Sequence, residues 1–161
     1  MNFEIDVSGA DLLSKNYTIC IADKDGVIKG FKFDEKTARV LSSRYGQEFY
    51  KYRKSKKGKS DLKIRIYCIV IFHLFKSLKI SREVSLKICR DFIGREDDIR
   101  KTLKFFLEKQ LKLKVNEVYF AKLSRESNAH KYAFLMREDR KNKMPTYINL
   151  KLEDFERWLK K

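Results

Sequence analysis

A chain of 161 residues with 43% hydrophobic side chains can bury roughly two-thirds of its unfolded surface in one core, which excludes a disordered chain and a disulfide-stapled miniature. Its 38 lysines and arginines against 22 acids give a net charge of +16, the balance of a protein that meets a polyanion, nucleic acid first among them. No run reaches the ~18 apolar residues of a membrane span and the opening MNFEID is unlike a signal peptide, so a soluble cytoplasmic protein with no membrane partner is expected, as a single domain over residues 1–161.

Residues 2–8, 17–22 and 27–33 alternate apolar and polar side chains and predict three strands. In the first, Phe3, Ile5 and Val7 share one face while Asp6 and Ser8 share the other, which places an acid near the end of a core strand before Gly9 turns the chain away. Asp23-Lys24-Asp25-Gly26 links the next two as a hairpin turn, which accounts for both aspartates. From Asp34, a natural cap, the spacing of Ala38, Leu41, Tyr45 and Phe49 is that of a helix face.

Residues 50–60 are the most basic stretch. Tyr50 and Tyr52 alternate there with Lys51, Arg53, Lys54, Lys56, Lys57 and Lys59, and Gly58 interrupts them, so the stretch predicts a flexible arm. Aromatic faces among cations suit the stacking of bases and the neutralisation of phosphates, as in single-strand binding. A very apolar helix follows over 62–78, with Asp61 in its capping or first-turn region and His73 packed into the core.

Residues 84–89 predict a fourth strand that ends in Arg90-Asp91, and Gly94 breaks it. Glu96, Asp97 and Asp98 open a helix of about 17 residues. Residues 118–123 predict a fifth strand, 128–136 a short helix with His130 in its first turn, 147–150 a further short strand and 152–160 a closing helix. Cys20, Cys68 and Cys89 each lie in an apolar run with no CxxC pair and read as small buried hydrophobes of a reducing compartment.

Three antiparallel strands, the last two linked by a hairpin, followed by alternating helices and strands predict an α/β fold with a mixed sheet. Right-handed crossovers lay the later strands parallel to the first, with helices on both faces and a site at the carboxyl ends of the parallel strands. With Asp6 and Ser8 on the first strand, this order resembles the ribonuclease H-like superfamily of ribonucleases H, Holliday-junction resolvases, integrases and Piwi domains. The helix start AHKYAFLMR is similar to the A-H-x-x-A helix start of Piwi domains. The resemblance implies a catalytic, metal-binding set of Asp6, Asp61, Asp91 and His130 around Mg²⁺ or Mn²⁺. It departs from the superfamily at Asp61, where glutamate is usual, and helix capping alone also accounts for that residue. Glu96 or Asp97 could take the place of Asp91, and Asp11 could add a ligand.

Phosphodiester hydrolysis needs an activated water, charge neutralisation at the phosphate and a stabilised leaving oxygen, which two divalent cations roughly 4 Å apart supply. The expectation is therefore a two-metal nuclease, monomer or homodimer, acting on single-stranded or branched DNA, with RNA also open as a substrate. The alternatives are a non-catalytic nucleic-acid-binding protein on the same fold and a protein-interaction module with a basic face.

Overall fold

The computed structural model describes residues 1–161. β1 (Asn2–Ser8) is the hub of a five-stranded mixed sheet: it pairs antiparallel with β2 (Thr18–Ala22) and parallel with β4 (Glu83–Ile88). β3 (Ile28–Lys32) extends the antiparallel side and β5 (Lys114–Phe120) the parallel side, in the order β3-β2-β1-β4-β5. The chain is thus α/β, with an antiparallel trio and then parallel strands. No helix is long and apolar enough to cross a membrane.

Period two in the strands assigns their faces. Phe3, Ile5, Ile19, Ile21, Leu86 and Ile88 are all at most 1% exposed and pack in one core with α2 (Lys56–Leu78). The opposite face carries small side chains in a row, because Asp6 stands beside Cys20 and Cys20 beside Gly30 in the strand register. Onto that row packs α4 (Asn128–Glu138), through Ala129, Ala133 and Met136. Any side chain on Gly30 would start 2.5 Å from the Met136 methyl, so the glycine is what lets the helix come this close.

The remaining helices frame this sandwich. α1 (Glu35–Gly46) is capped by Asp34, which accepts from Thr37 N at 2.6 Å. α3 (Glu96–Lys104) runs on into a π-helical segment, Phe105–Gln110, whose Phe106 stacks on Phe72. α5 (Leu152–Glu156) sets Phe155 against Phe31 and Phe33.

Several boundaries differ from the sequence expectation. β5 begins at Lys114, earlier than expected, because a register shift at Val84/Ser85 breaks the alternation: Val115 and Val118 both face inward although period two would oppose them. Residues 147–150 contribute only a single parallel bridge, Gly30 to Tyr147.

The basic arm is the larger correction. Lys56, Lys57 and Lys59 belong to the first turns of α2, which Ser55 caps by accepting from Gly58 N at 2.9 Å. Tyr50 is buried at 1% exposure, and its hydroxyl donates to Glu156 Oε2 at 2.8 Å. A side chain locked in that way offers no face to a base, so Tyr50 drops out of the predicted binding set. Tyr52 is half-buried, while Lys51, Arg53, Lys54, Lys56, Lys57 and Lys59 are exposed.

Glu156 is itself buried, between Tyr50 and Arg44. Burial works to raise its pKa, but the hydrogen bonds from Arg44 and Tyr50 outweigh it and leave the carboxyl below its ordinary range. The depressed folded value means that the carboxylate stabilises the fold above the unfolded pKa and that this contribution fades as pH falls through the folded one. Glu156→Gln is expected to lose about 1 kcal/mol at pH 7, the margin of a charged over a neutral acceptor. Urea unfolding at pH 7 and pH 3 checks this, since the two proteins should converge in acid.

Candidate metal centre

Strand register brings the site together. Ile5 opposes Ile88 in the parallel β1–β4 ladder, and Cys89 N continues it by donating to Ile5 O at 3.0 Å, so Asp6 and Cys89 are lateral neighbours. A tight turn, with Asp91 N on Cys89 O at 3.0 Å, brings Asp91 back beside them. The ligand atoms of Asp6, Cys89 and Asp91 all lie within 4.8 Å of one another.

His130 reaches the same place from the other face. Ser127 caps α4 by accepting from His130 N at 3.3 Å, and Asn128 Nδ2 donates to Asp23 O at 2.9 Å, which ties the helix start to the β2–β3 turn. The His130 Nδ1 then shares a 2.8 Å hydrogen bond with Asp6 Oδ2, while Asp6 Oδ1 accepts from Val7 N at 2.8 Å. Asp6 is only 3% exposed, so these contacts fix its orientation, whereas the His130 ring is half exposed.

Burial, and after it the crowding of like charge, sets the proton affinities here. Although Asp91 is exposed as a residue, burial of its carboxyl, followed by the charge on Asp6, pushes its pKa up to about 6, against a smaller opposing effect of the Cys89 hydrogen bond. Burial, and then the charges of Asp6 and Asp91, push the Cys89 thiol up to about 11, so it is neutral at pH 7. A cation placed among these groups would reverse each of these tendencies.

The donor set fits such a cation. Oxygens on opposite sides of Mg²⁺ at about 2.1 Å lie roughly 4.2 Å apart, so a spread of 4.8 Å closes with a small contraction. Two carboxylates suit Mg²⁺ or Mn²⁺, and the thiol adds a softer donor that tilts the choice toward Mn²⁺.

Comparison with protein families, curated proteins and solved structures finds no match.

Of the four expected site residues, Asp6, Asp91 and His130 come together. Asp61 is held elsewhere: it lies inside α2 rather than at its cap, and it pairs with Arg95, which also holds Asp98 Oδ2 at 2.8 Å. Glu96 accepts from Gly94 N at 2.7 Å and Asp97 pairs with Arg100 at 2.7 Å, so neither replaces Asp91. Asp11 forms an ion pair with Lys63 at 2.9 Å. His73, expected in the core, is half-buried with its ring 4.8 Å from that of Phe72, and its Nε2 is buried without a partner.

Cys89 was not anticipated as a site residue, because its apolar neighbours explain a buried thiol equally well. The signal that could have found it is positional: it is the residue that parallel pairing sets beside Asp6.

Proposed function

We propose that this protein is a divalent-metal-dependent nuclease that hydrolyses phosphodiester bonds, with single-stranded or branched DNA as its substrate. The observation that carries the reading is the convergence of Asp6, Cys89 and Asp91 within 4.8 Å, at the carboxyl ends of two adjacent parallel strands, with His130 bonded to Asp6. An antiparallel trio followed by parallel strands is also what the ribonuclease H-like resemblance implies.

Bound there, a divalent ion would activate a water and neutralise charge at the phosphate. Asp6, fixed by His130 and the Val7 amide, is the rigid carboxylate of the pair. Asp91, exposed as a residue, lines the cavity that a substrate would enter. Hydrolysis joins a water oxygen to phosphorus and breaks the bond to one ester oxygen; one water proton leaves and the departing oxygen takes one up. His130, half exposed and in contact with Asp6, is placed to carry a proton in that exchange. The exposed cations Lys51, Arg53, Lys54, Lys56, Lys57 and Lys59 supply phosphate affinity.

Labelled single-stranded, duplex and branched DNA and RNA, incubated with Mg²⁺, Mn²⁺ or EDTA, test the reading. Cleavage with an ion and none in EDTA is expected; intact substrates with both ions defeat it. The engagement of Asp61 by Arg95 favours one second reading, a non-catalytic nucleic-acid-binding protein on the same fold, and salt-sensitive binding without cleavage would establish it.

The raised Asp91 pKa adds a pH dependence. The folded state holds that proton more tightly than the unfolded chain, so the metal-free fold loses this stabilisation as pH rises from about 4 to about 6. A cation competes with the same proton, so Mn²⁺ affinity should weaken about tenfold between pH 7 and pH 5, and Asp91→Asn should remove that step. Mn²⁺ titrations at the two pH values measure it.

A further inference from the structure

α2 brings Lys63 to the cavity that Asp91 also lines. Lys63 lines an open cavity of about 380 Å³ together with Gly9, Asp11, Tyr17, Asp91 and Phe92. Tyr67, one turn further along α2, is fully buried with its ring 4.9 Å from that of Phe92. Its hydroxyl has no hydrogen-bond partner and lies in the field of both Asp91 and Asp6. A buried hydroxyl without a partner is uncommon, and this one belongs to a ring packed on Phe92, which lines the cavity. Asp61, which would have to bring a carboxylate from this helix to a second ion, is committed to Arg95.

We propose that Lys63 supplies the second positive charge at the reacting phosphate, so that the chain works with one divalent cation and an ammonium group rather than with two cations. This rests on the nuclease reading of the Asp6–Cys89–Asp91 site. In the free protein Lys63 is parked on Asp11 at 2.9 Å, and Asp11 is half exposed, so its release to water costs little. A phosphate entering the cavity would take over the ammonium, whose charge would then offset the charge that develops on the leaving oxygen, while Asp6 and Asp91 would hold the ion. Lys59, exposed and one turn earlier on α2, is close enough to act on Asp11 electrostatically and extends the cationic row from the helix start toward the cavity.

Two readouts test this at pH 7: Mn²⁺ titration followed by the spin-resonance signal of the free ion, and cleavage of labelled single-stranded DNA. Wild type and Lys63→Met should each bind one Mn²⁺ per chain with similar affinity. Cleavage should fall roughly a hundredfold in Lys63→Met and in Lys63→Gln, and return in part with Lys63→Arg, which restores the charge. A role confined to folding would lower Mn²⁺ binding and thermal stability in step with activity. Two equivalent Mn²⁺ per chain in wild type, or Lys63→Met or Lys63→Gln cutting at the wild-type rate, overturns the proposal while leaving the nuclease reading intact. A wild type that does not cut, whether or not it binds Mn²⁺, overturns both.

Discussion

Asp6→Asn is expected to lower cleavage by roughly a thousandfold or more, the scale on which removal of a centrally placed electrostatic group acts. The exchange keeps the size and shape of a buried side chain, and His130 can change tautomer to meet an amide. What is lost is one of only two carboxylates in the Asp6–Cys89–Asp91 trio, and a neutral amide is a poor ligand for a divalent ion. The same change removes a charge that crowds Asp91, so the variant should unfold at the same temperature as wild type or a higher one, and the Asp91 pKa should fall from about 6. Loss of activity without loss of stability separates a site residue from a structural one. Cleavage assays run beside a melting curve give both numbers, and a variant that cuts like its parent removes Asp6 from the chemistry.

The second large effect concerns the lysine-rich start of α2. Gly58→Ala places a better helix former inside a helix, which on propensity alone is worth about 1 kcal/mol of added stability. Its methyl group would stand 1.9 Å from the Arg53 carbonyl oxygen, and that oxygen is pinned by the Tyr45 hydroxyl at 2.7 Å. Overpacking against fixed backbone costs about 1–3 kcal/mol or more, so steric cost outweighs propensity and the variant should be less stable than wild type. Urea unfolding decides the sign. A stabilised variant would mean that residues 51–54 move freely off the helix, as an arm would.

Local pattern made much of this molecule legible. Period two located β1, β2 and β3 and put Asp6 on the face opposite Phe3 and Ile5, whereas Asp91 and His130 were reached only through the ribonuclease H-like resemblance. Non-local pairing hid the rest. Cys89 belongs to the site through its register beside Asp6, and Asp61 leaves it through Arg95; neither partner is near in sequence. Tyr50 looked like a stacking side chain because lysines surround it, but Glu156 at the far end of the chain buries it. The helix start at Lys56 was obscured because its first turn is lysine-rich and contains Gly58, which marks a close contact and not a flexible joint. In β5 a bulge reversed the alternation midway, so only its second half carried the strand pattern.

The most direct test of the metal centre is Mn²⁺ titration of wild type beside Asp6→Asn and Asp91→Asn at pH 7. One saturable site in wild type, weakened steeply by either substitution, is predicted. Equal Mn²⁺ binding by all three proteins, or none by wild type, would contradict it.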